Sequence, residues 1–296
     1  MVMHDFSIDA VQRCARLLRC TRAMTASLLV TAVSLGGTTT ATGQTTATWL
    51  SPVSGSWTDA SKWSTSPTYP RNGQPTAADI YDVVIDATGS AYTVSTETLG
   101  FDFTLNSLTL NSPDATVYFE NYGLSAANGI DLQAGLLELS DFIANTTITG
   151  NDNALIKGRG GTLDNVILSG VPVVIGGAIE IRNGLTLNST VRLDNTANTP
   201  GSQQIFNFFD DQTLSGTGEV VFDGVPITSS TGTDSAMRAW EGTLTIGPDI
   251  VIRTGTSGGY IQGIDGSNAG FIINQGTIIA QTPDKPLTLS RLANQG

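Results

Sequence analysis

With histidine and cysteine set aside, carboxylates are the groups that remain for chemistry in this chain. The only histidine (His4) and both cysteines (Cys14, Cys20) fall within the first twenty of 296 residues, in a segment read below as an export signal. Without them no Ser-His-Asp triad, no cysteine nucleophile and no His- or Cys-ligated zinc can be assembled. Asp210-Asp211 is the one adjacent acidic pair. Glycoside hydrolysis needs two carboxyl groups roughly 5–10 Å apart across the substrate, one of them with a raised pKa. Neighbours on a strand point to opposite faces, so this pair suits a solvated turn better than an active site. A lyase would also want a basic group, and Lys157, Arg159, Arg182 and Arg192 supply numbers without a pattern. No catalytic residue is therefore assigned.

Binding chemistry is equally sparse. No G-x-x-x-x-G-K-[ST] phosphate cradle occurs, and the glycines of "GRGGTLDN" (158–165) are expected to turn a corner. In "GGYIQGIDGSNAG" (258–270), Ile261 stands where the second glycine of a calcium repeat is required. "NDN" (151–153) and Asp265 offer oxygen ligands. Calcium at a turn is the only cofactor these residues suggest; no cofactor is assigned. Exposed indoles stack on sugar faces, so Trp57 and Trp63 could form a carbohydrate platform. The expected alternative is that Trp49, Trp57 and Trp63 cover the N-terminal end of an apolar column. Trp240, in the polar excursion "TSSTGTDSAMRAWEG" (228–242), is the remaining contact residue.

The start of the chain sets the compartment. Arg13, Arg16, Arg19 and Arg22 precede an apolar run from Ala26 to Leu35 and a polar stretch ending Ala41-Thr42-Gly43. That order is a secretory signal with cleavage near Gly43/Gln44. The run is short for a bilayer, and no other segment approaches the roughly 20 apolar residues a span requires. The whole chain carries a formal charge of −12, and residues 1–43 hold more bases than acids, so the mature chain is more acidic still. With no basic stripe to neutralise phosphates, nucleic acid is an improbable partner, as are anionic membranes.

The elements that would position these residues are short strands. "YDVVID" and "AYTVST" flank Ala87-Thr88-Gly89-Ser90 as an expected strand pair. From about Phe101 the chain becomes a succession of apolar-x-apolar units such as "LTLNS", "LELSD", "IEIRNG" and "VRLDN". Units beginning at Val166, Val173, Ile179, Leu185 and Val191 follow six or seven residues apart, too close for hairpins of ordinary strands. Three units make about 20 residues, the interval between the "NQG" triplets at 274 and 294. This spacing predicts an all-β right-handed parallel β-helix whose stacked coils bury a continuous apolar column. A β-sandwich, or two in tandem, is the alternative. The division is 1–43 signal, 44–100 Trp-rich cap with strand pair, and 101–296 β-helix. "DNTANTPGSQQ" (194–204) is expected to loop out. Because the second "NQG" ends the sequence, the helix is expected to be truncated there, with further repeats or another chain covering its edge.

"NGLTLNSTVRLDN", "GGTLDNVILSG", "QTLSGTGEVVFDG" and "INQGTIIAQ" resemble the repeats of secreted bacterial autotransporter-passenger-like and filamentous-haemagglutinin-like β-helices. "GSWTDASKWS" is similar to the Gly-x-Trp-x5-Trp opening that follows their signals. The resemblance implies an exported, cell-surface, adhesin-like structural protein without catalytic residues. Its partners would be extracellular polysaccharide or cell-envelope components. The alternatives are a polysaccharide-degrading β-helix enzyme and a carbohydrate-binding module.

Overall fold

Alternation of apolar and polar residues at period two makes strands, and in this protein nearly every such run is a rung of a parallel ladder. The computed structural model describes residues 43–96, 102–120, 123–194, 196, 203–224, 235–266 and 269–296. Residues 1–42 of the expected signal, most of the expected 194–204 excursion and residues 228–234 of the expected 228–242 excursion lie outside them. The described chain is all-β, with 25 strands joined in one sheet. Among the described residues the named strands pair only in parallel, and the single antiparallel contact is an isolated bridge between Trp49 and Trp63.

Three ladders carry the pairing. The first runs through Gln44–Thr48, Ile80–Ile85 and residues 107–110, 130–132, 148–150, 166–169 and 185–188. It continues through Gln212–Ser215, Gly242–Ile246, Gly270–Asn274 and Leu292–Asn294. The second begins at Gly55–Ser56 and Tyr92–Ser95 and passes through Ala154–Gly158, Thr190–Asp194 and Glu219–Asp223 to Thr277–Ile279. The third joins Phe103–Leu105 and Leu124–Ala126 to residues 162–164 and 178–181, then Ile205–Phe209, Ala236–Trp240, Gly259–Gly263 and Leu287–Ser290. From Phe103 onward the chain visits third, first and second ladder in turn.

The expected pair around residues 87–90 is not a hairpin. Ile80–Ile85 and Tyr92–Ser95 sit in different ladders, and each pairs with a different part of Ser107–Phe119. Alternation fixed both strands but could not name their partners, because the intervening residues turn a corner instead of reversing the chain. The antiparallel sheets of a sandwich are likewise not found among the described residues.

Inward residues stack in register. Val83, Leu108, Ile130, Ile148, Leu168 and Leu187 form one continuous column, all of them buried. Each such side chain contributes about 1.5–3 kcal/mol of burial, none of it available to a lone rung. The corner between third and first ladders is turned by Asn145, Asn165 and Asn183, at φ of 50°, 51° and 53°. Asparagine tolerates this left-handed backbone because its amide bonds locally. Here the amides bond from rung to rung: Asn165 Nδ2 donates to Asn145 Oδ1 at 3.0 Å, and Asn183 Nδ2 to Asp164 Oδ1 at 2.7 Å.

The rung-to-rung step is 20 residues at Asn145/Asn165 and again at Asn274/Asn294, whose side chains bond at 2.7 Å. The "NQG" triplets therefore stand in register, as their spacing predicts. Elsewhere the step lengthens, to 31 residues between Gln204 and Ser235 for example.

Candidate functional site

The three early tryptophans are interior groups. Trp57 and Trp63 are 0 % exposed and Trp49 is 1 % exposed. Trp63 Nε1 donates to Trp57 O at 2.7 Å, and Trp57 Nε1 to Pro70 O at 2.9 Å. Trp49 meets Trp63 edge-on at 4.9 Å, and Trp57 lies 5.2 Å from Phe103, joining the trio to the apolar column. Neither Trp57 nor Trp63 offers a ring face to a sugar. They pack with each other and, through Trp57, with Phe103, in the first rung of the third ladder.

Trp240 is differently placed. It belongs to a strand, Ala236–Trp240, and not to a polar excursion. The Ser/Thr/Gly lead-in masked the alternation of "AMRAW", in which Met237 and Ala239 are buried while Arg238 and Trp240 are only half-buried. The neighbouring rung, Ile205–Phe209, repeats the pattern: Phe206 and Phe208 pack inside, 4.7 Å apart, and Asn207 and Phe209 take the outward positions. On the next rungs to either side, Glu180 and Arg182 precede, and Tyr260 and Gln262 follow.

Register gathers these side chains into one patch. Glu180, Asn207, Arg238 and Gln262 are successive partners. Beside them the Arg182 guanidinium lies over the Phe209 ring at 4.4 Å, and Phe209 lies 6.1 Å from Trp240 at a tilt of 34°. A cation over a ring gains about 0.5–2 kcal/mol. Arg182 also donates to Glu180 Oε2 at 3.1 Å. Burial pushes the Arg238 guanidinium down from its usual value. The patch offers aromatic faces, two guanidinium groups and two amides, a set suited to sugar rings and their hydroxyls.

Several of the remaining basic residues are engaged with carboxylates. On the second ladder Arg253 clasps Glu219 through two hydrogen bonds of 2.8 and 3.0 Å, and Arg192 donates to Asp223 at 2.6 Å. The Arg253 hydrogen bond, outweighing burial, holds Glu219 below the usual carboxylate range. Burial raises Asp223, but the Thr256 backbone N–H and Arg192 lower it further. Both favour the ionised form and are poor general acids. Asp141 is raised, by burial first and then by Asp102. Asp210 and Asp211 lie at an exposed corner, where Asp211 Oδ1 accepts the Thr243 N–H at 2.6 Å. Lys157 and Arg159 both face Glu138.

Of the calcium-type oxygens, Asn151 Oδ1 accepts the Asn153 N–H at 2.8 Å and Asp265 pairs with Arg291. No group of three or more acidic or His/Cys ligands forms among the described residues. None of their helices is long and apolar enough to cross a membrane. No protein-family model, curated protein or solved structure matches the chain.

Sequence reading named Trp240 as a contact candidate and Arg182 only among basic residues without a pattern; Phe209, Arg238 and Gln262 it did not name. The alternation of "IFNFF", "AMRAW" and "GYIQG" could have placed them outward. Their assembly depends on a register step of 31 residues, which no local signal announces.

Proposed function

We propose that the protein is an exported, non-catalytic, right-handed parallel β-helix that serves as a structural, adhesin-like surface module. Its contact face is the outward side of the third ladder, and its partners are extracellular or cell-envelope polysaccharides. The progression of the chain through three parallel ladders supports the solenoid. The resemblance of its repeats to secreted bacterial β-helices supports the surface role, and the basic-apolar-polar start supports export.

The observation that carries the contact face is the Arg182–Phe209–Trp240 stack. It presents rings on a hydrogen-bonded ladder instead of a loop, so little side-chain entropy is lost on binding. Repetition of rungs along a rod also favours several weak contacts acting together. On a glycan array the wild-type protein should retain a polysaccharide that a Phe209→Ala/Trp240→Ala variant does not. Unchanged retention by the folded double variant would remove this face from the account. Export is tested by fusing residues 1–43 to a reporter, with a mature N-terminus expected at Gln44.

A second reading, glycan cleavage, draws on Asp141, whose raised pKa beside Asp102 is the property a general acid needs. A reducing-sugar assay on the retained polysaccharide separates the two. Release that is lost in Asp141→Asn would replace the structural reading with an enzymatic one.

A further inference from the structure

The proposed contact face carries a charge that no described side chain answers. Lys157, Arg159, Arg182, Arg192, Arg253 and Arg291 each face a carboxylate within 4.0 Å. Arg238 has no ion pair among the described residues, and its Nε is shielded from water without a hydrogen-bond partner. Its register neighbour Asn207, 9 % exposed, has an Oδ1 in the same condition. Glu180, the next residue along that column, is engaged by Arg182. Buried polar atoms are nearly always satisfied, so two unsatisfied ones on adjacent rungs of an otherwise well-bonded ladder mark a place where a ligand supplies the partners.

We propose that Arg238, Asn207 and Trp240 form a subsite for the carboxylate-bearing ring of an acidic polysaccharide, a uronate unit. This rests on the carbohydrate-contact reading above and names the ligand's class. The planar guanidinium fork matches a carboxylate geometrically, and the pair strengthens where water is partly excluded. Trp240, two residues on and on the same face, offers a ring for the sugar's C–H surface. The Asn207 carbonyl accepts from a hydroxyl, and Gln262 on the following rung can donate or accept. The chain's own charge of −12 repels dense polyanions. The subsite therefore fits spaced carboxylates and not a heavily sulfated chain.

Calorimetry with oligouronates (galacturonate, guluronate/mannuronate and glucuronate series), each against its carboxyl-reduced neutral form, tests this. At least one oligouronate should bind tenfold or more tightly than its neutral form. Arg238→Gln should abolish that preference, bringing the oligouronate down to the affinity of its neutral form in the same variant. Arg238→Lys should restore it only in part, since an ammonium lacks the fork. Equal affinity for acidic and neutral forms would overturn the carboxylate subsite yet leave the aromatic contact face standing. Tighter binding of a heparin octasaccharide than of any oligouronate would overturn the assignment to uronates. Absence of binding to every probe would overturn both the subsite and the contact face. Should Arg238→Gln fail to fold, the wild-type preference between paired probes decides alone.

Discussion

At the residue scale, burial and hydrogen bonding separate groups that look alike in sequence. Trp57 and Trp240 are both tryptophans near polar stretches, but Trp57 is fully enclosed with its indole N–H satisfied, and Trp240 stacks on the outward Phe209. Trp57→Ala should therefore cost about 3–5 kcal/mol in urea unfolding, without changing glycan affinity in whatever fraction remains folded. Trp240→Ala should show the reverse ordering of effects, and equal effects on both measurements would deny the distinction. Charge behaves as specifically. Glu219 and Asp223 have folded-state pKa values below their unfolded ones. Their stabilisation is fully present above the unfolded carboxylate range of about 4. It is lost as pH falls through the folded values. The thermal midpoint should accordingly drop on acidification below about pH 4, with a shallower drop in Glu219→Gln. Parallel acid limbs in the two proteins would show that the Glu219–Arg253 pair contributes nothing.

At the scale of elements, the corners hold the strands in register. Asn165 combines a left-handed backbone with an amide bond to the rung below. Asn165→Ala should destabilise by about 1–2 kcal/mol, since it pays for both the φ and the lost bond, whereas Asn165→Gly keeps the backbone and should cost less. Equal denaturant midpoints for the two variants would show that the lost amide hydrogen bond, not the backbone, dominates. Gly161 is a stricter case. At φ 103° an added Cβ would lie 2.2 Å from the Asp141 carbonyl oxygen. Gly161→Ala must push two rungs apart, and the expected result is a fall in midpoint larger than that of Asn165→Ala. The same corner logic explains why the glycines of "GRGGTLDN" turn a corner before Thr162–Ser169 and form no nucleotide fingerprint.

For the described molecule as a whole, each rung contacts chiefly its neighbours in the same ladder, so stability is close to a sum of nearest-neighbour terms. Hydrogen exchange should reflect this. Amides of central rungs, such as residues 162–168 and 178–187, should be protected longest. Those of Leu287–Ser290 and Leu292–Asn294, which have a rung on one side only among the described residues, should exchange first. Uniform exchange along the chain would mean a single cooperative unit instead of a one-dimensional stack.

Much of this architecture is legible in sequence because period-two alternation and asparagine- or glycine-marked corners are local properties. They announce strands, their inward faces and, where coils are short, a repeat of 20 residues, as "NQG" at 274 and 294 confirms through Asn274 and Asn294. Composition alone also removes histidine and cysteine chemistry from everything after Cys20. Partner choice is not local. Whether Tyr92–Ser95 folds back on Ile80–Ile85 or moves to another ladder depends on where Ser107–Phe119 can stack, and only the tertiary structure decides it. The same holds for the proposed contact face. Arg182, Phe209 and Trp240 lie far apart in sequence and meet because coil lengths vary while the stacking of inward side chains holds the rungs in register.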